Sequence, residues 1–392
     1  MQQSYDTQGR PFASNVGARA LSLLNGVKLT AGQFEGLYNL KGGIVQRIVD
    51  GKLAPTPEFL DAFDRHGPLR IGDLYDPSVR HWFQVEDDTK DGILIYGAEQ
   101  TASTDRQTFR GQEGAKVHFY SYRDTAMSKT SLFRPEWISE HYPHDGVNPD
   151  TPNEAFNKGH FEHQITYFVG PVNFHWIDAK GQKHVRQMNT GDTNYITPFV
   201  PHTFTTREEG KGLILAVTYG GAIATEQYQQ EIQDKTLELF LGSLALPAIS
   251  GQLQTDTLGG VIVNGHAGRK DLGNNVAELI GGIPFQPDPR ALEYLIEGNG
   301  HPHIRVDVER WGYNIGSTPV AIEWASHSET LKPGDSFFIR PNVGHSLRGT
   351  GKLLVMEIKP EGSSPLEELA LINKYAGTRG LSRVHTENTQ WF

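Results

Sequence analysis

The sequence has 392 residues, of which 37% are hydrophobic and 21% charged, and it carries a formal net charge of −10. This composition is typical of a globular protein, and the length predicts two or three domains. No apolar run approaches the roughly 20 residues that span a bilayer, which argues against a membrane role. The acidic balance argues against a large nucleic-acid surface.

Cysteine is absent, so the chain can form no disulfide bonds and offers no thiolate to a metal. Any metal ligands are therefore expected among His, Asp, Glu, Asn, Gln and backbone oxygens. Residues 1 to 6 are polar and lack the basic and apolar segments of a secretory signal. A cytoplasmic location is the resulting expectation.

Residues 16 to 66 have the pattern of four short helices. Thr30 and Gln33 have the spacing of a capping box at the start of one of them. The stretch from residue 21 to 63 resembles the helix-turn-helix of phage-repressor-like proteins, in which residues 43 to 49 would read DNA. That helix carries no basic cluster, so we expect it not to bind nucleic acid.

Between residues 76 and 219 the pattern changes to short β-branched and aromatic runs separated by turns. Such a pattern predicts an all-β sandwich or barrel. The runs lie at residues 92–96, 116–120, 165–169, 172–176 and 213–219. We expect the strand that ends at Gly170 to form a hairpin with residues 172–176.

His160, Gln164 and His202 are the candidate metal ligands. Residues two apart on an extended strand share a face, so His160 and Gln164 point one way and His163 points the other. We expect the strand with Gln164 and the strand that ends at His202 to form opposite walls of one small barrel. An irregular loop at residues 143–159 runs directly into His160, and loops of that length are often functional.

An internal repeat follows, because residues 191–202 align without gaps with residues 334–345. Such a repeat implies two copies of one barrel. Counting back from His345 finds His303 and Asp307, and these three residues resemble a second set of metal ligands.

The turn after the first strand of each copy is the better anchor for comparing them. Matching the turns places Arg310 at the position of Gln164 and Val306 at the position of His160. The interpretation that we favour is a structural second barrel without metal.

These patterns divide the chain into four parts. Residues 1–75 form a helical domain, residues 76–222 a metal-binding barrel, residues 223–248 a helical connector, and residues 249–392 a degenerate second barrel with a C-terminal helix and tail. The connector places Tyr228, Ile232, Leu237 and Leu241 roughly on one face, and the C-terminal helix is expected at residues 366–375.

The motifs carry a resemblance to a known family. Gly159-His160-x-x-x-Gln164, a Gly-Asp pair and Pro198-x-x-x-His202 in a tandem barrel resemble the bicupins. The repressor-like domain ahead of them, with residues 28–33 and 156–160, narrows the resemblance to the hydroxyethylphosphonate dioxygenase and methylphosphonate synthase family over most of the chain. The resemblance implies a mainly β fold of tandem cupin barrels (double-stranded β-helices) preceded by an all-α helix-turn-helix domain.

The resemblance also implies a reaction. In the dioxygenases the iron ligands are two His and one Glu, and that Glu lies six residues before the last His. Here that position is Ile196, and Gln164 follows the first His by four residues, which is the pattern of the synthases. The implied activity uses Fe(II), held by His160, Gln164 and His202, and O2. It cleaves 2-hydroxyethylphosphonate to methylphosphonate and bicarbonate.

The family further implies groups that bind the phosphonate. Asn157 matches a substrate contact, and Lys28 matches a lysine that reaches an active site, possibly that of a neighbouring subunit in a homo-oligomer. Tyr122 and Arg110 are looser candidates for substrate donors. Plainer interpretations remain open, with Lys28 as a solvated surface lysine and Asn157 as a loop-capping residue.

Two other functions remain open. The first is a dioxygenase that converts the same substrate to hydroxymethylphosphonate and formate. Only the residues at positions 164 and 196 distinguish this enzyme from the synthase in sequence. The second is a transcription regulator whose helix-turn-helix binds DNA while the barrel senses a small molecule.

Overall fold

The computed structural model describes residues 4–111, 116–131, 134–150, 155–160, 162–178, 180–219, 255–258, 261–283, 289–301 and 307–358. The expected connector helix at residues 223–248, the C-terminal helix at 366–375, His303 and Val306 lie outside the described residues. No helix among the described residues is long and apolar enough to cross a membrane.

Five α-helices and twenty strands are described. The helices are α1 (Val16–Gly26), α2 (Ala31–Leu37), α3 (Ile44–Val49), α4 (Pro57–Arg65) and α5 (Ala98–Ser103). The strands of the first half are β1 (Ile93–Tyr96), β2 (Arg106–Arg110), β3 (Val117–Asp124), β4 (Arg134–Glu140), β5 (His163–Val169), β6 (Val172–Ile177), β7 (Lys183–Met188), β8 (Thr193–Ile196), β9 (His202–Thr206) and β10 (Gly212–Tyr219). Those of the second half are β11 (Thr255–Leu258), β12 (Val261–Asn264), β13 (Lys270–Gly273), β14 (Val276–Ile280), β15 (Arg290–His301), β16 (Glu309–Asn314), β17 (Val320–Trp324), β18 (His327–Leu331), β19 (Ser336–Ile339) and β20 (His345–Ile358).

The four short helices predicted near the N-terminus are confirmed, and the capping box explains where α2 begins. The Thr30 hydroxyl accepts a hydrogen bond from the Gln33 amide at 3.2 Å, and the Gln33 side chain accepts one from the Thr30 amide at 2.9 Å. These two bonds satisfy backbone donors that the helix itself leaves open. Behind the cap, Phe34 is fully buried in an apolar core shared by α1, α3 and α4.

The first barrel has two sheets that face each other. An eight-stranded sheet runs in the order β11-β12-β8-β5-β10-β4-β3-β2, and a three-stranded sheet runs β7-β6-β9. Apolar side chains from both sheets meet in one cluster, which includes Phe168 of β5, Phe174 of β6 and Phe204 of β9. The strand pairings in both sheets are antiparallel.

Two expectations about this barrel were wrong. Residues 172–176 do form a strand, but β6 pairs with β7 and β9 and lies in the sheet that faces β5, so the turn at Gly170 joins two sheets and makes no hairpin. The segment that ends at His202 is also not one strand. Its first part, β8, lies beside β5, and only β9, which begins at His202, lies in the facing sheet. The bend between β8 and β9 includes Phe199, whose φ of 64° breaks the extended backbone.

The second barrel repeats the first. Residues 334–345 contain β19 and the start of β20 where residues 191–202 contain β8 and the start of β9. Phe199 and Asn342, which occupy the same place in the repeat, both have a φ of 64°. The predicted internal repeat is therefore a repeat of backbone geometry as well as of sequence.

The two barrels exchange strands. β1 lies early in the chain but pairs with β19 of the second barrel, and β12 comes from the second half but pairs with β8 of the first. The outer face of the first large sheet packs against the second barrel in a common apolar core, where Tyr195 and Val217 join Trp311, Phe338 and Met356. β1 and β12 therefore each pair with the barrel that the other half of the chain mainly forms.

Candidate metal centre

Gln164 is the second residue of β5, whereas His160 precedes the strand, which begins at His163, so the expectation that one strand carries both residues was wrong. His160 Nε2 is 3.0 Å from Gln164 Oε1, and both side chains are buried. The other ring nitrogen, Nδ1, is 2.7 Å from the Glu162 carbonyl and can only donate to it, which leaves Nε2 with its lone pair. Burial lowers the pKa of His160 well below its usual range, so the ring is neutral.

The amide of Gln164 is also oriented with a lone pair towards the candidate site. Its Nε2 donates to Thr166 Oγ1 at 2.8 Å, so Oε1 is the atom that faces His160. Two acceptors thus face each other at 3.0 Å with no proton between them. Ligands that lie about 2.1 Å from a metal and at right angles to each other are about 3 Å apart, so a bound cation fits this arrangement.

His202 is the third candidate ligand and supplies the second nitrogen. It begins β9 on the facing sheet, and its ring centre is 5.0 Å from that of His160. Its Nδ1 donates to the Val200 carbonyl at 2.8 Å, and burial lowers its pKa to about 4, so Nε2 is the ring nitrogen that carries the lone pair. Among the described residues no group of three His, Cys, Asp or Glu side chains is placed to hold a metal. A three-ligand site built on the two histidines therefore needs the carboxamide.

Asn157 links the loop before His160 to His202. Its Oδ1 accepts hydrogen bonds from the backbone amides of His202 and Gly159 at 2.9 and 2.8 Å. Its Nδ2 is 3.0 Å from His202 Nε2, the nitrogen that would bind the metal. Asn157 therefore caps its loop, as the plainer interpretation has it, and also directs its amide group into the candidate site.

Lys28 is buried, which contradicts the interpretation as a solvated surface lysine. It follows α1 in a left-handed conformation with a φ of 51°, and its Nζ is 3.7 Å from Glu136 Oε1. Its positive charge contributes to the lowered pKa values of His160 and His202, after the larger effect of burial. In the described structure Lys28 thus lies near the candidate site of its own chain.

Arg110 and Tyr122 line the same side of the barrel. Arg110 donates to the Ala155 carbonyl at 2.9 Å, and its guanidinium lies 5.4 Å from the centre of the Tyr120 ring. Tyr122 is buried, which raises the pKa of its hydroxyl well above the usual value. Tyr122 therefore remains a neutral phenol at neutral pH and can donate a hydrogen bond.

Sequence reasoning missed three acidic residues in this barrel. Glu136 and Glu140 of β4 are buried, and Glu162 is partly buried between His160 and β5. Burial raises the pKa of all three carboxyl groups. The alternation of polar residues along β4 was the available signal, but a polar strand face is by default assigned to solvent. Here that face turns inward.

The second barrel has a different group at the equivalent position. Gln164 pairs with Ile196 across β5 and β8, and Arg310 pairs with Ile339 across β16 and β19. The register of the two sheets thus agrees with the predicted match of Arg310 to Gln164. Arg310 is buried and its Nε is 2.9 Å from Glu357 Oε1, so a salt bridge occupies the place of the metal ligand.

Solved structures share this fold. A Streptomyces albus hydroxyethylphosphonate dioxygenase with 2-hydroxyethylphosphonate and Fe(II) bound superposes with a TM-score of 0.60, at 24% identity, over 96% of this chain and 99% of that chain. A variant of 2-hydroxyethylphosphonate dioxygenase gives a TM-score of 0.53 at 18% identity over 94% of this chain. The fold is therefore the bicupin fold of these dioxygenases.

The sequence itself is similar to a particular enzyme. It is 29% identical over 468 aligned positions to the methylphosphonate synthase of Nitrosopumilus maritimus (strain SCM1). The alignment covers 100% of this chain and 98% of that protein. No protein-family model matches the sequence. The chain is thus similar over its whole given length to a methylphosphonate synthase, and it has the fold of hydroxyethylphosphonate dioxygenase.

Proposed function

We propose that this protein is an Fe(II)- and O2-dependent enzyme that cleaves the carbon-carbon bond of 2-hydroxyethylphosphonate. The products are methylphosphonate and bicarbonate, which together with one proton account for all atoms of the substrate dianion and O2. The observation that carries the proposal is the pairing of Gln164 with Ile196. This pairing puts a carboxamide next to the other candidate ligands and a fully buried apolar residue where the dioxygenases are expected to have their carboxylate.

The proposed iron ligands are His160, Gln164 and His202. Neutral imidazoles and a carboxamide oxygen suit Fe(II) as a variant of the arrangement of two His and one carboxylate. When bound, the iron supplies the activation of O2 and open positions for the substrate oxygens. Because these three ligands are neutral, the negative charge that balances the metal comes from the anionic substrate.

The other residues bind the substrate and hold it in place. Lys28 and Arg110 are the cations near the two histidines, as their effects on the pKa of His202 indicate, and a phosphonate dianion needs such partners. Tyr122 and Asn157 add a neutral hydroxyl and an amide as donors. In this proposal Lys28 acts as a charged donor within its own chain. The site therefore does not depend on a homo-oligomer.

The helical segment at residues 16–66 is proposed to serve the active site and not to bind DNA. The C-terminal end of α1 carries Lys28 towards the first barrel, where a Cβ on Gly26 would lie 3.6 Å from Glu162 Oε1. The exposed side of α3 carries Gln46, Arg47 and Asp50, and Gln46 donates to Asp50 at 2.7 Å. A gel-shift assay on genomic DNA tests this point, because specific binding would favour the transcription regulator.

The reaction is tested by loading the protein with Fe(II) without oxygen, adding 2-hydroxyethylphosphonate and O2, and recording the phosphorus NMR spectrum. We expect methylphosphonate, together with one bicarbonate for each substrate consumed. Hydroxymethylphosphonate and formate would instead support the dioxygenase. The matched control is His160→Ala, which should consume neither substrate nor O2.

A further inference from the structure

We propose that Thr166 is a positioning residue for the metal ligand Gln164, an inference that rests on the proposed iron site. The Gln164 amide nitrogen donates to Thr166 Oγ1 at 2.8 Å. This hydrogen bond favours the orientation of the amide in which its oxygen faces the other ligands. The Thr166 hydroxyl therefore makes a carboxamide usable as a ligand at this position.

A carboxamide needs such a partner more than a carboxylate does. The two oxygens of a carboxylate are equivalent, so either one can bind a metal. An amide has one oxygen with lone pairs and one NH2 group that only donates hydrogen bonds. A half-turn of the Gln164 amide would therefore replace a ligand atom with a group that a cation repels.

The structure shows what the wrong orientation would do. Gln164 Oε1 is 3.0 Å from His160 Nε2, and that nitrogen has a lone pair because Nδ1 donates to the Glu162 carbonyl. After a half-turn, the amide nitrogen would face the same lone pair at hydrogen-bonding distance. The resulting bond would occupy the His160 ligand atom and turn Gln164 Oε1 away from it towards Thr166.

Thr166 is well placed to favour the productive orientation. It lies two residues after Gln164 on β5, and therefore on the same face of the strand. It is fully buried, and its backbone pairs with Ala216 on one side and Asn194 on the other. The hydroxyl is thus held in place by the sheet, and removing it would leave the amide nitrogen buried without this acceptor.

The experiment compares variants that differ at this hydroxyl. Thr166→Val removes it and keeps the β-branched shape, Thr166→Ala removes it if the valine side chain does not fit, and Thr166→Ser keeps it. Thr218→Val is the matched control, because Thr218 is a buried threonine directly across from Gln164 and donates to the Arg134 carbonyl at 3.3 Å. Fe(II) affinity is measured without oxygen against a competing chelator, and the absorption spectrum of the Co(II) form reports the ligand set.

We expect Thr166→Val to weaken Fe(II) binding by about tenfold or more and to change the Co(II) spectrum, as changes beside metal ligands do. Thr166→Ser and Thr218→Val should both bind like the wild-type protein. In the background of Gln164→Glu the penalty should disappear, because a carboxylate has no wrong orientation. An equal penalty in both backgrounds, or none in either, would overturn the role of Thr166. Failure of the wild-type protein itself to bind Fe(II) would remove the iron site and this inference together.

Discussion

Gln164 is the neutral side chain proposed to replace the carboxylate ligand that the dioxygenases are expected to have at the position of Ile196, and its neighbours explain how it is held in place. On one side the Thr166 hydroxyl accepts from its nitrogen, and on the other Ile196 is fully buried directly across the strand pair. His160 and His202 each donate Nδ1 to a backbone carbonyl, which directs Nε2 into the site. Hydrogen bonds of this kind fix both the tautomer and the direction of a metal-binding imidazole.

The first prediction concerns which barrel binds iron. His160→Ala and His202→Ala should each abolish stoichiometric iron binding, while His345→Ala should retain it. The reason is that Arg310 and Glu357 form a buried salt bridge at the equivalent place in the second barrel, and a fixed cation repels a metal ion. Iron per chain is measured after anaerobic loading. Equal loss in the His345→Ala protein would show that the second barrel is also loaded.

The second prediction concerns Lys28 and its partner. Lys28→Ala should lower turnover strongly without reducing iron content, because it removes a buried positive charge near the two histidines. Glu136→Gln should have a smaller effect in the same direction, since it removes the carboxylate 3.7 Å from the Lys28 ammonium group. Kinetic constants and iron content are measured together. Unchanged turnover in Lys28→Ala would exclude a role for this lysine in the reaction.

The third prediction concerns the choice of product. Ile196 lies across from Gln164, so a carboxylate installed by Ile196→Glu would lie beside the candidate ligands and compete with the amide. We expect Ile196→Glu or Gln164→Glu, where iron is retained, to shift the product towards hydroxymethylphosphonate or to uncouple O2 consumption. Phosphorus NMR measures the product ratio.

Isotope labelling tests the hydrogen transfer behind this prediction. We expect the phosphonate fragment to take its hydrogen from the one-carbon fragment, so deuterium at the hydroxyl-bearing carbon should appear in the methyl group of methylphosphonate. Methylphosphonate without that deuterium would contradict this route.

At the scale of secondary structure, the residue that caps α2 also lies in the turn that holds Lys28. Thr30 caps α2 two residues after Lys28, and Thr56 caps α4 through a 3.3 Å bond from the Phe59 amide. Thr30→Ala and Thr56→Ala should each lower the free energy of unfolding by about 1 kcal/mol. Only Thr30→Ala should also lower turnover, because only that cap holds the turn next to Lys28. A similar loss of turnover in both proteins would point to general destabilisation.

Local signals in the sequence predicted individual elements well. The cap at Thr30, the repeat and the opposite directions of His163 and Gln164 are all present in the structure. Sheet membership was harder, because nothing in Gly170-Pro171 distinguishes a hairpin from a turn between sheets. The inward acidic face of β4 was missed since an alternating polar pattern is the same for a solvent face and a polar interior.

At the scale of the whole molecule, buried histidines make stability depend on pH. His163 is stacked between Tyr195 and Tyr219 and is 2.6 Å from the Tyr195 hydroxyl, and burial lowers its pKa from 6.5 to about 3. Between pH 6.5 and 3 the unfolded chain binds a proton at this residue and the folded protein does not. The contribution of His163 to stability is therefore present above pH 6.5 and is lost as the pH falls towards 3.

This effect can be isolated by comparing two pH values. From pH 7.5 to 5.5, His163 alone should lower the free energy of unfolding by about 1.4 kcal/mol. His163→Gln should remove that part of the pH dependence, whatever its own stability. The buried carboxyl groups with raised pKa values act in the opposite sense, but they do so equally in both proteins. Identical pH dependence of urea unfolding in the two proteins would contradict the prediction.

The exchange of β1 and β12 has a consequence for synthesis on the ribosome. β8, whose last residue lies across from Gln164, gains its second neighbour only when residues 261–264 have been translated. β1, which is synthesised early, has no partner in the second large sheet until β19 has been translated as far as residue 339. Neither half of the nascent chain can complete its sheet alone, so iron should be acquired only after most of the polypeptide has left the ribosome. The same dependence predicts that a gene split between the barrels yields two fragments that fold only when they are produced together.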